Sequence, residues 1–114
     1  LLRVVPKNLK GEKNSQLVVE RADGGPVPFS VVEDVFKDIT GRETLPDLGP
    51  PQANKGLSTG IQGEEPKEIV VKERGRSTVL RSGAGSTEDS GPVWTIGINK
   101  PKMENGFKEI KFKR

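Results

Sequence analysis

The sequence predicts an α+β fold in which one helix packs on a face of a small mixed or antiparallel sheet. Three observations support this class. Short apolar segments rich in β-branched residues recur along the chain, and Gly or Pro clusters separate them. One segment near residues 30–41 instead has apolar residues at helical spacing. The length of 114 residues suits a single small domain, 1–114.

Six segments have the composition of β-strands. Leu1–Val5 and Ser15–Arg21 predict an N-terminal hairpin, or two strands linked by a mobile loop, with a polar turn or loop at Pro6–Asn14 between them. The other four candidate strands are Glu68–Arg74, Ser77–Arg81, Val93–Asn99 and Phe107–Lys113. The Arg74-Gly75 pair predicts a second hairpin, whose strands lie on either side of it.

Period-two alternation assigns faces in the last two strands. Trp94, Ile96 and Ile98 fall on one face of their strand, and Ile110 and Phe112 fall on one face of the next. The order that we expect is β-β-α-β-β-β, which has one strand fewer than the six candidate segments. Its start resembles the order of a ubiquitin-like β-grasp, although no family-specific residues accompany the resemblance. A small β-sandwich or partly open barrel is the alternative.

The helix has signals at both ends. Ser30 and Glu33 have the spacing of a capping box, which predicts that Ser30 caps the N-terminus. An apolar stripe follows, formed by Val31, Val32, Val35, Phe36 and Ile39. Glu33 and Lys37 are an i,i+4 pair in the favourable order. Gly41 is placed to end the helix in the left-handed region.

Two stretches predict flexible or extended segments within the domain. Residues 41–66 include five Gly and four Pro and few apolar side chains, which favours a linker or an arm that lies on a partner. Its part Leu45–Pro51 is a candidate recognition segment. Residues 82–92 are rich in Gly and Ser and predict a second mobile loop.

The composition argues against common enzyme classes. The chain has no Cys, His or Tyr, so thiol chemistry, imidazole proton transfer and the usual zinc ligands are excluded. The adjacent carboxylates at 33–34, 64–65 and 88–89 lie at a helix start or in loops, where solvated surface explains them. The Gly83-Ala84-Gly85 segment lacks the rest of a phosphate-binding motif. We therefore expect no enzyme activity, no cofactor and no metal site.

Charge is unevenly distributed along the chain, although the net charge is only +3. Residues 1–16 carry four basic and one acidic side chain, whereas residues 17–66 carry four basic and nine acidic ones. Residues 67–82 and 100–114 are again basic. No apolar run approaches the ~18 residues of a membrane span, so we expect no membrane partner.

Together these features predict a non-catalytic protein-interaction or structural module, part of a longer chain or a larger assembly. Its partner would be another protein or a second copy. The alternative is a nucleic-acid-binding module that uses the basic strands at 67–81 and 100–114. The candidate contact residues for either partner are Arg74, Arg76, Arg81, Lys100, Lys102, Lys108, Lys111, Lys113, Arg114 and Trp94. Phe107 is a further candidate for stacking on a base.

Overall fold

The computed structural model describes residues 1–8, 15–50, 56–73, 75–85, 91–99 and 107–114, without the side chains at positions 6–8, 15, 99, 107 and 108. This part of the chain contains one helix and six strands. In chain order the elements are β1 Leu2–Asn8, β2 Ser15–Arg21, α1 Phe29–Thr40, β3 Glu68–Glu73, β4 Arg76–Arg81, β5 Val93–Asn99 and β6 Phe107–Lys113. All six candidate segments form strands, so the expected order was one strand short.

The six strands form one open mixed sheet with the order β1-β2-β6-β5-β4-β3. Neighbours are antiparallel except β2 and β6, which run parallel. Both predicted hairpins are present, as β1–β2 and β3–β4. The predicted α+β class, with one helix on a small mixed sheet, is therefore confirmed, and the sheet is open rather than closed.

The core lies between α1 and one face of the sheet. Val32 and Phe36 are the fully buried residues of the helix, and they pack with apolar side chains from five strands. The buried cluster consists of Val19, Val27, Val32, Phe36, Ile69, Val71, Leu80, Ile96 and Phe112. Ile98 and Ile110 pack against it, as the predicted alternation requires.

The helix ends where predicted but begins earlier. Gly41 adopts φ 72° and its N–H donates to the Lys37 carbonyl at 2.8 Å. At the other end the N-cap is Pro28, and Ser30 already lies inside the helix without a capping hydrogen bond. The predicted capping box is therefore wrong. The N–H of buried Val27 donates to the carbonyl of Lys113 in β6, which fixes the chain just before the helix and sets its start.

The predicted pair on the helix surface is present. The Glu33 carboxylate lies 2.8 Å from the Lys37 ammonium. This hydrogen bond raises the pKa of Lys37 above its ordinary value, and burial opposes the shift. Both side chains remain partly exposed, so solvent screens the pair and it contributes little to stability.

Strand β1 is longer than predicted, because it continues through Pro6 to Asn8. The N–H of Ala22 donates to the Leu1 carbonyl, so odd-numbered residues of β1 exchange hydrogen bonds with β2. Pro6 is even-numbered, so the absence of an N–H at this position removes no hydrogen bond to β2. The predicted loop at Pro6–Asn14 is thus too long at its start, and residues 9–14 lie outside the described residues.

The described parts of segment 41–66 contact the domain itself. Leu45 and Leu48 pack against the core cluster, and Gly49 exchanges two backbone hydrogen bonds with Glu68 at the start of β3. Ser58 pairs in the same way with Ala84. Residues 51–55, and residues 86–90 of the second predicted loop, lie outside the described residues. The flexibility of both segments stays a prediction.

Candidate functional site

The sheet face opposite α1 carries polar and charged side chains. Strand register aligns Glu68, Arg81, Thr95 and Lys111 across β3, β4, β5 and β6. Directly paired residues share a face of the sheet, so these four form one row, which we call the central row. Thr95 is 0% exposed and Lys111 is only 7% exposed. A row of this kind is unusual because burying charged groups is costly unless they are paired.

Arg81 is held in place by its neighbours in the sheet. Its Nε lies 3.7 Å from the Glu68 Oε2, which is an ion pair but too long for a hydrogen bond. Its guanidinium lies above Gly97, where a Cβ would be only 3.2 Å from the Arg81 Nη2. The absence of a side chain at Gly97 therefore provides the space that the guanidinium occupies.

A cavity of about 350 Å³ opens beside Arg81 and Lys111. Its lining consists of Gln16, Leu57, Arg81, Ala84, Gly85, Glu109 and Lys111. The Ser58–Ala84 pairing brings the two loop segments together over the sheet. Gly83 permits this approach, because a Cβ at this position would overlap the Ser58 carbonyl group. We call this space the central cavity.

Glu109 is the acidic side chain that lines the central cavity, and the side-chain amide of Gln16 holds its carboxylate in place. The Gln16 Nε2 donates to the Glu109 Oε2 at 3.2 Å, across the parallel pairing of β2 and β6. No ion pair within the described residues involves Lys111. Sequence reasoning missed Gln16, Thr95 and Glu109, because only the strand register shows that they face the same side as the two cations.

The structure separates the sequence-predicted contact residues. Arg81 and Lys111 meet at the central cavity, whereas Arg76 is exposed and lines another cavity, of about 440 Å³, at the C-terminal end of α1. Lys113 lies 3.0 Å from Glu20 in an ion pair on the same face. Arg74, Lys100 and Lys102, and the side chains of Phe107 and Lys108, lie outside the described residues.

Trp94 and Arg114 contact each other, and both are only partly exposed. The Trp94 ring lies 4.7 Å from the Phe29 ring, and the Arg114 guanidinium is 4.6 Å from the Trp94 ring centroid. Arg114 also forms a 2.7 Å ion pair with Glu64 and donates to the carbonyl of Ser82. These contacts connect the C-terminal residue to β5, α1 and segment 41–66.

The free edge of β1 is a second candidate site. Leu1, Leu2, Val4 and Val5 are all exposed, and Val4 is 57% exposed. No described residue pairs with β1 on the side away from β2. The opposite edge of the sheet differs, because Gly49 pairs with the start of β3 and charged Lys72 and Glu73 follow. The apolar composition of Leu1–Val5 was visible in the sequence, but its place at an edge was not.

The described residues contain no group of three or more acidic side chains that is placed to hold a metal ion. Within the same part of the chain, no helix is both long enough and apolar enough to cross a membrane.

No protein-family model matches the chain, and no curated protein or solved structure matches it significantly. The edge of β1 and the central cavity are the two candidate sites of the described residues.

Proposed function

We propose that this domain is a non-catalytic protein-interaction module that binds an extended segment of a partner protein along the free edge of β1. The observation that carries the proposal is the exposed apolar strand β1, whose outer edge pairs with no described residue. Exposed apolar edges are templates for pairing with another chain, and proteins otherwise protect them with charges or coverings.

The backbone of β1 offers a defined set of hydrogen bonds. Odd-numbered residues bond to β2, so Leu2 and Val4 direct their N–H and carbonyl groups outward. Pro6 occupies the next outward position and has no N–H to donate. A partner strand would therefore pair with Leu2 and Val4 and lose the regular ladder at Pro6.

Side chains on both faces of β1 favour an apolar partner strand. Leu2 and Val4 lie on the face that carries α1, and Val5 lies on the opposite face. All three are more than a third exposed, so an added strand would remove apolar surface from water on both sides. This form of recognition takes affinity from main-chain hydrogen bonds and specificity from alternate side chains.

Charge favours a foreign acidic segment over a second copy. Residues 1–16 carry four basic side chains and one acidic one. Two of these basic residues, Arg3 and Lys7, lie in β1, so pairing two copies through β1 would bring like charges together, which is destabilising across strands. A partner strand that alternates apolar and acidic residues avoids this repulsion.

The test uses a synthetic peptide that alternates valine and glutamate, with a valine–lysine peptide for comparison. Amide exchange measured by NMR should show new protection at Leu2 and Val4 with the acidic peptide. Val4→Pro removes one outward N–H but no bond to β2, and should weaken binding about fivefold, since one main-chain hydrogen bond is worth ~1 kcal/mol. Val4→Thr is the matched control, because it keeps that N–H and should bind more tightly than Val4→Pro.

Two outcomes would contradict this function. The first is an absence of protection at Leu2 and Val4 at saturating peptide. The second is concentration-dependent dimerisation through β1 in analytical ultracentrifugation, with the dimer abolished by Val4→Pro, which would make a second copy the occupant.

The nucleic-acid alternative has less support. Arg81, Lys113 and Arg114 were candidate phosphate contacts, and each has an acidic partner within 4 Å. Trp94 was a candidate for base stacking, and its ring already contacts Phe29 and Arg114. Binding of single-stranded RNA that weakens steeply between two salt concentrations would reverse this preference.

A further inference from the structure

Two buried polar atoms of the central row have no hydrogen-bond partner among the described residues, and the neighbouring Lys111 has no acidic partner among them. The Arg81 Nε and the Thr95 Oγ1 are buried and form no hydrogen bond in the described part of the chain. Lys111, at 7% exposure, forms no ion pair with any described residue. Most buried polar groups in proteins are hydrogen-bonded, so such exceptions point to a bound water, ion or ligand.

The three groups are adjacent in the sheet. Thr95 lies between Arg81 and Lys111 in the register of β4, β5 and β6. The backbones of Arg81 and Lys111 are thus two strand spacings apart, or about 10 Å. Both side chains are long and both line the central cavity. Because both cationic side chains line one cavity, a single oxyanion bound there can contact both of them.

We propose that the central cavity binds the carboxylate group of a small molecule, held between Arg81 and Lys111. An oxyanion supplies the missing counter-charge for Lys111 and accepts hydrogen bonds from the guanidinium of Arg81. The volume of about 350 Å³ exceeds that of a simple ion, so the carboxylate belongs to a larger molecule. The binding region is separate from the β1 edge and does not depend on the proposed function of that edge.

Glu109 explains why a carboxylate is favoured over phosphate. Its own carboxylate lines the same cavity and is held by Gln16. Arg81 is already paired with Glu68, so a singly charged carboxylate neutralises Lys111, whereas a phosphate dianion leaves an excess negative charge beside Glu109. A ligand that also carries a hydroxyl or ammonium donor would bond to Glu109 as well.

The test is an NMR titration with acetate, inorganic phosphate and neutral acetamide at constant ionic strength. Acetate should shift the backbone amides of Thr95 and Lys111, and acetamide should not. Lys111→Met keeps the aliphatic stem and should weaken acetate binding about tenfold or more, because hydrogen bonds to charged groups are the strong ones. Lys113→Met is the matched control, since Lys113 lies on the same strand and face but pairs with Glu20 outside the cavity.

Glu109→Gln provides a second variant that does not remove a cation. It should increase the affinity for phosphate more than that for acetate. The thermal midpoint of ligand-free Lys111→Met should not fall below that of the wild type, because Lys111 has no acidic partner among the described residues to lose. An unchanged midpoint shows that loss of acetate binding in this variant does not come from unfolding.

Two results would overturn the proposal. One is acetate binding that is equally weakened by Lys111→Met and Lys113→Met, which is a general charge effect. The other concerns Glu88 and Asp89, which follow the cavity-lining Gly85 in sequence and lie outside the described residues. If acetate binds only after Glu88→Gln and Asp89→Asn are introduced together, the chain's own carboxylates occupy the cavity.

Discussion

Two buried threonines, Thr59 and Thr95, differ sharply in their hydrogen bonds. Thr59 is 2% exposed, and its hydroxyl donates to the Ile61 carbonyl and accepts from the Ile61 N–H, both at 3.1 Å. Thr95 is equally buried, but its hydroxyl has no partner among the described residues. The cost of burying a hydroxyl is offset in the first case and not in the second.

Replacing each threonine by valine should therefore change stability in opposite directions. Thr95→Val should raise the free energy of unfolding by about 1 kcal/mol, because a buried hydroxyl without a partner is removed. Thr59→Val should lower it by about 1–2 kcal/mol, because two hydrogen bonds to Ile61 are lost. Urea denaturation in carboxylate-free buffer measures both. Destabilisation by Thr95→Val would show that water or an ion satisfies the hydroxyl in the ligand-free protein.

At the scale of single residues, the sequence identified the relevant cations but could not show which of them has an acidic neighbour. Lys111 and Lys113 are two positions apart on β6 and were equivalent candidates. Their difference arises from neighbouring strands, because Lys111 is opposite Thr95 whereas Lys113 lies near Glu20. These pairings join residues far apart in the chain, so no local pattern reports them.

The helix shows which boundary signals are reliable at the scale of an element. Its end depends on a backbone conformation that glycine adopts readily, and Gly41 was correctly predicted to occupy it. Its start depended on tertiary contacts, because Val27 is fixed to β6 and Phe29 packs on Trp94. The length of β1 was predicted wrongly for a similar reason. Proline has no N–H, so Pro6 would interrupt the strand only if its position had to donate a hydrogen bond to β2.

Substitutions at the two ends of α1 should therefore have unequal effects. Gly41→Ala should destabilise the domain by about 1 kcal/mol, because an alanine at φ 72° is strained even though its Cβ meets no atom within 4 Å. Ser30→Ala should change stability by less than about 0.5 kcal/mol, because no capping bond is lost. Thermal denaturation followed by circular dichroism compares them. If Ser30→Ala destabilised the domain as much as Gly41→Ala does, Ser30 would cap the helix after all.

The topology belongs to the scale of the whole molecule and was only partly predictable. The two hairpins were predictable, because strands that follow each other in the sequence commonly pair. The parallel pairing of β2 with β6 joins segments more than 90 residues apart, as in the contact of Gln16 with Glu109. Period and composition do not specify such a pairing, so the class of fold was predictable and the strand order was not.

Arg114 joins several parts of the molecule through one side chain. It pairs with Glu64, donates to the Ser82 carbonyl and lies over Trp94. Its side chain is 15% exposed, so these interactions are partly shielded from water. Segment 41–66, which the sequence assigned to a linker or partner-bound arm, is thereby connected at Glu64 to the last residue of the chain.

Removing the Arg114 side chain should destabilise the domain, because its contacts with Glu64, Ser82 and Trp94 are lost. Arg114→Ala should lower the free energy of unfolding by about 2–3 kcal/mol, from the loss of a charged hydrogen bond and a cation–π contact. Arg114→Lys should recover only part of this stability, because an ammonium cannot reproduce the planar guanidinium fork. Urea denaturation followed by Trp94 fluorescence measures both variants.

Arg3→Ala is the control. Arg3 is 62% exposed beside Glu20, so its replacement should lower the free energy of unfolding by less than about 1 kcal/mol. Equal losses from Arg114→Ala and Arg3→Ala would mean that Arg114 acts only as an ordinary surface charge.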